Sequence, residues 1–270
     1  MSFEYSLSFP KFVLFGDSIT QRAFSPYPLQ DVIDDGYTTL EEDPPVADFN
    51  LGLQLQRDYV RRMDVLNRGF TGYNSAQYRL MIDKILAIEH DLSYSKIEVA
   101  TLFLGTNDAA HAPPDGVPYD TFIENMTFIV EQILKRGIKL IIIGPAHHYS
   151  DLWNSLNPSD VANGILRDND TNRKYSDGLR KLATEFQLPF IDLSSIFDHY
   201  NKSHNDPEAT KRLFFDGIHL NGQGYKIIYD CITQAIETHY PSYSPKNMPT
   251  RLPKWVEFDA EKVKGIVIEK

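Results

Sequence analysis

The 270-residue chain holds one cysteine, Cys231, so no disulfide can form within it. Cys231 falls in the series Ile228, Cys231, Ile232, Ala235, Ile236, whose helical spacing reads as a core thiol and not a nucleophile. Positive charge is short: 27 Lys and Arg against 37 Asp and Glu leave a formal net charge of -10. That balance disfavours nucleic acid or an anionic membrane as a partner. No apolar run approaches the roughly 18 residues that span a bilayer, and no basic stretch leads into a long apolar one near Met1. The expectation is a soluble, cytoplasmic protein. The acceptor-like triplets at Asn125, Asn169 and Asn201 are too short a pattern to change it.

Two glycine motifs are also missing. The first apolar run ends in a lone Gly16, without the G-x-G-x-x-G of dinucleotide-binding folds. Ser18 lacks the flanking glycines of the G-x-S-x-G nucleophile elbow. No Cys or His stands at ligand spacing around His147-His148, so no metal is expected there and the pair reads as a solvated loop.

What is present is an alternation of strands and helices. Phe12 to Phe15 reads as a buried strand that stops at Gly16, after which Ser18 or Thr20 can open a helix. Leu51, Leu55, Tyr59 and Met63 recur at four-residue steps and predict a helix from Leu51 to about Asp64. Val65 onward is a short strand running into the Gly69 and Gly72 turn, and Ala76 to His90 is helical. Ile97 to Leu104 is a strand, Pro118 to Arg136 a helix closed by Gly137, and Ile138 to Ile143 a central strand. A loop is expected to about Asp168. Thr171 to Phe186 is a helix, Leu188 to Leu193 an edge strand because of Pro189, and Gln223 to Tyr240 the last long helix. With no internal repeat and no linker, the expectation is one α/β domain over residues 1–270, built on a parallel sheet covered on both faces.

Two stretches stand apart. Residues 24–50 carry Pro26, Pro28, Pro44 and Pro45 among many acids, too long for an ordinary turn and so a lid or an insertion without fixed structure. From about Pro241 a proline-punctuated tail ends in the alternating Val263 to Ile268, read as a strand or as an arm on a second subunit of a homodimer.

Parallel sheets place their sites at the carboxyl ends of the strands, where four polar turns fall: Ser18, Gly72, Asn107 and Asp216-Gly-Ile-His219. Acyl transfer needs a nucleophile, a base, a group that orients the base, and donors for the developing oxyanion. Ser18 can attack, and His219 titrates in the right range to act as base. Asp216 can hold its tautomer, and Ser18, Gly72 and Asn107 can supply N–H donors. Taken singly, each is also a plain cap or turn, Asp216-Gly217 above all. Asp17 and Asp108 read as carboxylates that brace turns. Phe24, Tyr73, His111 and Tyr149 follow the same strand ends and can line a small apolar pocket.

Gly16-Asp-Ser-Ile-Thr, Asn67-Arg-Gly-Phe-Thr-Gly72, Gly105-Thr-Asn-Asp108 and Asp216-Gly-Ile-His219 resemble, in order and spacing, the four blocks of the SGNH (GDSL) hydrolases. Ile142-Ile-Gly-Pro145, Gly222-Gln-Gly-Tyr-Lys226 and His239-Tyr-Pro-Ser-Tyr-Ser-Pro-Lys-Asn-Met248 are similar to the isoamyl acetate-hydrolysing esterases of that superfamily. The resemblance runs from Lys11 to about Trp255. It implies a flavodoxin-like sandwich with a five-stranded parallel sheet, Ser18, Asp216 and His219 as triad, and Ser18, Gly72 and Asn107 as oxyanion hole. It also implies a small-molecule ester substrate, with no cofactor. The expected reaction is hydrolysis of short acyl esters, acetates of small alcohols first. Lysophospholipid, acyl thioester or acetylated sugar stand as alternatives, and a flavodoxin-like binding module as the reading from another class.

Overall fold

Phe12, Val13, Leu14 and Phe15 point alternately to opposite sides and are nevertheless all buried, because both faces of their sheet are covered. The computed structural model describes residues 3–27 and 48–266. Its strands are β1 (Phe3–Glu4), β2 (Lys11–Gly16), β3 (Asp64–Gly69), β4 (Ile97–Phe103), β5 (Lys139–Ile143), β6 (Phe190–Ile191) and β7 (Thr250–Arg251). Its helices are α1 (Ser18–Arg22), α2 (Leu51–Asp58), α3 (Ser75–Leu86), α4 (Tyr119–Leu134), α5 (Ser150–Leu156), α6 (Pro158–Ala162), α7 (Asn169–Glu185), α8 (Leu193–Ser203), α9 (Gly222–His239) and α10 (Ala260–Lys264).

Strands β2 to β6 form one parallel sheet in the order β3-β2-β4-β5-β6. From β2 the chain moves to β3 on one side and then to β4 on the other, and such a reversal opens a crevice at the carboxyl ends. Gly16 stands level with Gly69 and with Phe103, so the turns carrying Ser18, Gly72 and Asn107 leave the sheet side by side. This is the three-layer α/β sandwich that the alternation implied.

The strand alternation divides the core. Phe12 and Leu14 join Leu55 and Tyr59 and the Ile228, Ile232 and Ile236 face of α9 in one layer. Val13 and Phe15 join Tyr78 and Ile82 of α3, Met126 and Ile129 of α4 and Leu179 of α7 in the other. Each fully buried side chain of this size contributes about 1.5–3 kcal/mol relative to exposure.

Some elements differ from their expected form. Helix α2 stops at Asp58, because Arg61 adopts a φ of 61°, yet Tyr59 and Met63 remain buried as their spacing implied. The helix of residues 75–86 ends in a π turn over Ala87–Asp91. Strand β5, by contrast, pairs in parallel with β4 on one side and β6 on the other, an interior strand as its apolar run implied. The expected loop before Asp168 contains α5 and α6, and α8 follows the edge strand. In the tail, Asp259 accepts from Glu261 N at 3.0 Å and caps α10, so Val263 and Lys264, the first two residues of the expected alternating stretch, are helical. Cys231 is half-buried beside the α9 core face. Most of the 24–50 stretch, and residues 267–270, lie outside the described residues; its two ends meet where Asp48 N donates to Pro26 O at 3.1 Å. Among the described residues no helix is long and apolar enough to cross a membrane.

Candidate active site

Strand β2 turns directly into α1. A Cβ on Gly16 would stand 2.7 Å from the Phe103 carbonyl and closer still to Thr20, so only glycine lets the turn pass the neighbouring strand. Asp17 is the N-cap, its Oδ1 accepting from Ile19 N at 2.9 Å. Ser18 is the first helical residue, where a backbone N–H has no partner within the helix. Its side chain faces the turn that precedes α9.

In that turn Phe215 N donates to His219 O at 2.9 Å, and Asp216 Oδ1 accepts from Ile218 N and His219 N at 2.9 and 2.8 Å. The other oxygen, Oδ2, accepts from His219 Nδ1–H at 2.6 Å, which leaves Nε2 to accept from Ser18 Oγ–H at 2.9 Å. Residues 201 positions apart in sequence are thereby joined. All three are buried, Asp216 completely. Burial alone would raise the Asp216 carboxyl, but the His219 imidazole and two backbone N–H groups hold it below its ordinary value. Burial lowers His219, Asp216 opposes that, and the guanidiniums of Arg22 and Arg167 add to the lowering. The imidazole is therefore a neutral acceptor at neutral pH, able to take the Ser18 proton.

Gly72 is exposed in the turn after β3, with a left-handed φ of 76°. Asn107 follows β4, and its Nδ2 donates to Tyr73 O at 2.9 Å, which ties the two turns together and leaves the second amide N–H unspent. Asp108 Oδ1 accepts from Ser75 N at 2.9 Å, so both Asp17 and Asp108 brace turns. Burial pushes Asp17 up to about 7 and Asp108 up to about 6, with Asp108 adding to the rise at Asp17.

The four aromatic and imidazole residues expected to line a pocket each pack on or pair with a neighbour. Phe24 packs on Gly52, where any Cβ would strike its ring. The Tyr73 ring lies 5.4 Å from that of Phe70, His111 Nε2 pairs with Asp168 Oδ2 at 2.5 Å, and the Tyr149 ring packs on Phe214 at 5.5 Å. His147 and His148 are not a solvated loop, for both are buried. His147 Nε2 lies 3.0 Å from Asp198 Oδ1. The backbone of His148 donates to Asn169 Oδ1 at 2.7 Å, and burial pushes its imidazole down to about 3. Among the described residues no group of three His, Cys, Asp or Glu side chains could hold a metal.

Sequence reasoning passed over the residues that surround His219. Trp153 of α5 lies with its ring 6.0 Å from the imidazole, and the guanidinium of Arg167 stands 5.4 Å from the indole. Arg22 could have been found, since it is four residues from Ser18 on one helix face. Trp153 and Arg167 carry no local signal, because only the fold brings α5 and the segment before α7 to this place.

The sequence model of the GDSL-like Lipase/Acylhydrolase family matches residues 14–227. The isoamyl acetate-hydrolyzing esterase of Saccharomyces cerevisiae is 38% identical over 249 residues, 92% of this chain and 95% of the relative. The crystal structure of the lipase/acylhydrolase from Enterococcus faecalis superposes with a TM-score of 0.58 at 22% identity, covering 90% of this chain and all of that one. An acetyl xylan esterase structure reaches the same TM-score at 25% identity over 84% of this chain and 99% of its own. Matched through both core layers and every strand-end turn described above, the chain belongs to the GDSL-like lipase/acylhydrolase family and is an esterase of that family.

Proposed function

We propose that the protein hydrolyses short-chain acyl esters, acetates of small alcohols such as isoamyl acetate, through an acyl enzyme on Ser18. The observation that carries the reading is the unbroken chain from Asp216 Oδ2 through His219 to Ser18 Oγ, with links of 2.6 and 2.9 Å. His219 Nε2 takes the hydroxyl proton as Ser18 Oγ bonds to the acyl carbon. The carbonyl oxygen, now an oxyanion, is held by the N–H groups of Ser18 and Gly72 and the free N–H of Asn107. His219 then returns the proton to the departing alkoxide, and the alcohol leaves. A water gives its proton to His219 and attacks the acyl-Ser18 carbon. The second tetrahedral adduct collapses to the acid, and Ser18 recovers its proton. Asp216 keeps Nδ1–H oriented and faces the imidazolium that forms at each step.

The acetate preference is supported by the named activity of the 38% identical relative. Acetylated sugars are the second reading, supported by the likeness to an acetyl xylan esterase. Hydrolysis of p-nitrophenyl acetate, butyrate and octanoate, with isoamyl acetate and an acetylated xylo-oligosaccharide alongside and EDTA present, separates these. Acetate is expected to lead, isoamyl acetate to exceed the sugar, chelator to be harmless, and Ser18→Ala to lose nearly all activity. Full activity in Ser18→Ala overturns the mechanism, and faster turnover of the sugar moves the substrate assignment. We also propose that the tail, which exposes Trp255, Val256 and Phe258, is an arm onto a second copy. Sedimentation at micromolar concentration is expected to show a dimer, and a monomer overturns it.

A further inference from the structure

Three features meet beside His219 and its turn. The first is α5. Tyr149 N donates to Gly217 O at 3.0 Å, and a Cβ on Gly217 would stand 2.5 Å from Tyr149 O and 3.2 Å from Trp153 N. The start of α5 is thus set against the Asp216-Gly217 turn with no slack. The second is the Trp153 indole, buried, with Nε1–H donating to Asp160 Oδ2 at 3.0 Å. The third is Arg167, also buried, which stands against the indole, pairs with Asp115, and lies 3.7 Å from the same Asp160 oxygen. A ring held by its edge and covered by a guanidinium cannot rotate without breaking several contacts at once.

We propose that Trp153 is a positioning residue for ester hydrolysis: clamped by Asp160 and Arg167, its indole is the wall that fixes the His219 ring and keeps water off it. The proposal rests on the reading of His219 as the base. The groups facing that ring are Asp216 on its own turn, Ser18 and Arg22 of α1, and Trp153 backed by Arg167. Burial is the largest cause of the lowered His219 titration, so opening the wall rehydrates the ring and lets it bind a proton at higher pH. The acidic limb of the activity profile follows the free base, and so moves upward.

The test is the pH profile of kcat and KM for p-nitrophenyl acetate in Trp153→Phe, Trp153→Leu and Asp160→Ala. In Trp153→Leu the limb is expected to rise by about one pH unit, roughly a tenfold loss below it, with kcat falling more than KM rises. Trp153→Phe restores a ring and is expected to return the limb most of the way. Asp160→Ala sits at a partly exposed position, leaves the core filled, and is expected to shift the limb by less in the same direction. A folded Trp153→Leu with an unmoved limb overturns the proposal; where that variant does not fold, an unmoved limb in Asp160→Ala overturns it. Ser18→Ala keeps the two readings apart, since its retained activity removes the mechanism while an unmoved limb removes only the wall.

Discussion

The side-chain amide of Asn107 donates to the backbone carbonyl of Tyr73 at 2.9 Å. One hydrogen bond thus fixes the amide plane and ties the turn after β4 to the turn bearing Gly72. Tyr73 acts through its carbonyl, while its ring packs on Phe70. The second amide N–H is free to serve an oxyanion that exists only during reaction, so its loss falls on kcat. Asn107→Ala is expected to lower kcat by about 10²-fold to 10³-fold with little change in KM, the usual cost of one such donor. Steady-state kinetics on p-nitrophenyl acetate checks this, and a mutant that loses only KM contradicts it.

Asp216 uses one oxygen for two backbone N–H groups and the other for His219 Nδ1–H. Asp216→Asn can keep the turn but cannot accept in the same way at both places. The amide NH₂ then favours the wrong imidazole tautomer, with Nε2 protonated toward Ser18. A drop in kcat on the order of 10³-fold to 10⁴-fold is expected, with the thermal midpoint close to wild type. Recovery of activity at high pH through direct ionisation of Ser18 would agree with that cause, whereas near wild-type rates at pH 7 would exclude it.

The sheet was legible because its strands are buried on both faces. Phe12 to Phe15 and Leu140 to Ile143 show as unbroken apolar runs, Ile97 to Phe103 shows as one interrupted only at Glu98 and Thr101, and Pro189 marks an edge strand. The turns bearing Ser18 and Asn107 could be placed together because each follows such a run by a few residues, while the Gly72 turn follows the short pair Val65-Leu66 of the other edge strand. The walls of the site could not. Trp153 lies on a seven-residue helix whose direction is set by contact with Gly217, and Arg167 arrives from a segment without periodicity. His148 reads as polar loop because nothing local shows that Asn169 and the Asp216 turn enclose it. The same limit applies to α10, whose cap at Asp259 carries Val263 and Lys264 into a helix at the start of the alternating stretch.

The buried carboxyls of Asp17 and Asp108 make stability depend on pH. Burial raises Asp17 from 3.8 to about 7, so the folded protein holds a proton there that the unfolded chain has released. Stability from this group is complete below pH 3.8 and is lost as pH rises through about 7. Asp108 adds a loss of the same sign, centred lower, toward its value of about 6. Asparagine at position 17 keeps the cap on Ile19 N without the charge. Asp17→Asn is therefore expected to show a shallower fall of thermal midpoint between pH 5 and 8 than wild type, at roughly equal helix content. Parallel curves would rule out this origin for the pH dependence.

Gly217 joins two requirements that no other residue meets. Its φ of 96° belongs to a region that side chains rarely occupy, and a Cβ there would press on Tyr149 O at 2.5 Å. Alanine must either strain the backbone or push α5 away from the Asp216–His219 turn. Strain of this kind costs about 1–3 kcal/mol. For a domain of this size a loss of that order lowers the melting point by several degrees. If the turn yields, His219 shifts against Ser18 Oγ and kcat falls as well; if α5 yields, Trp153 leaves the imidazole and the acidic limb of the profile rises. Gly217→Ala is expected to lose melting temperature and kcat together, and calorimetry beside the pH profile separates the two routes. A variant as stable and as active as wild type would mean that the turn and α5 are not packed as closely as the 3.0 Å bond from Tyr149 N to Gly217 O implies.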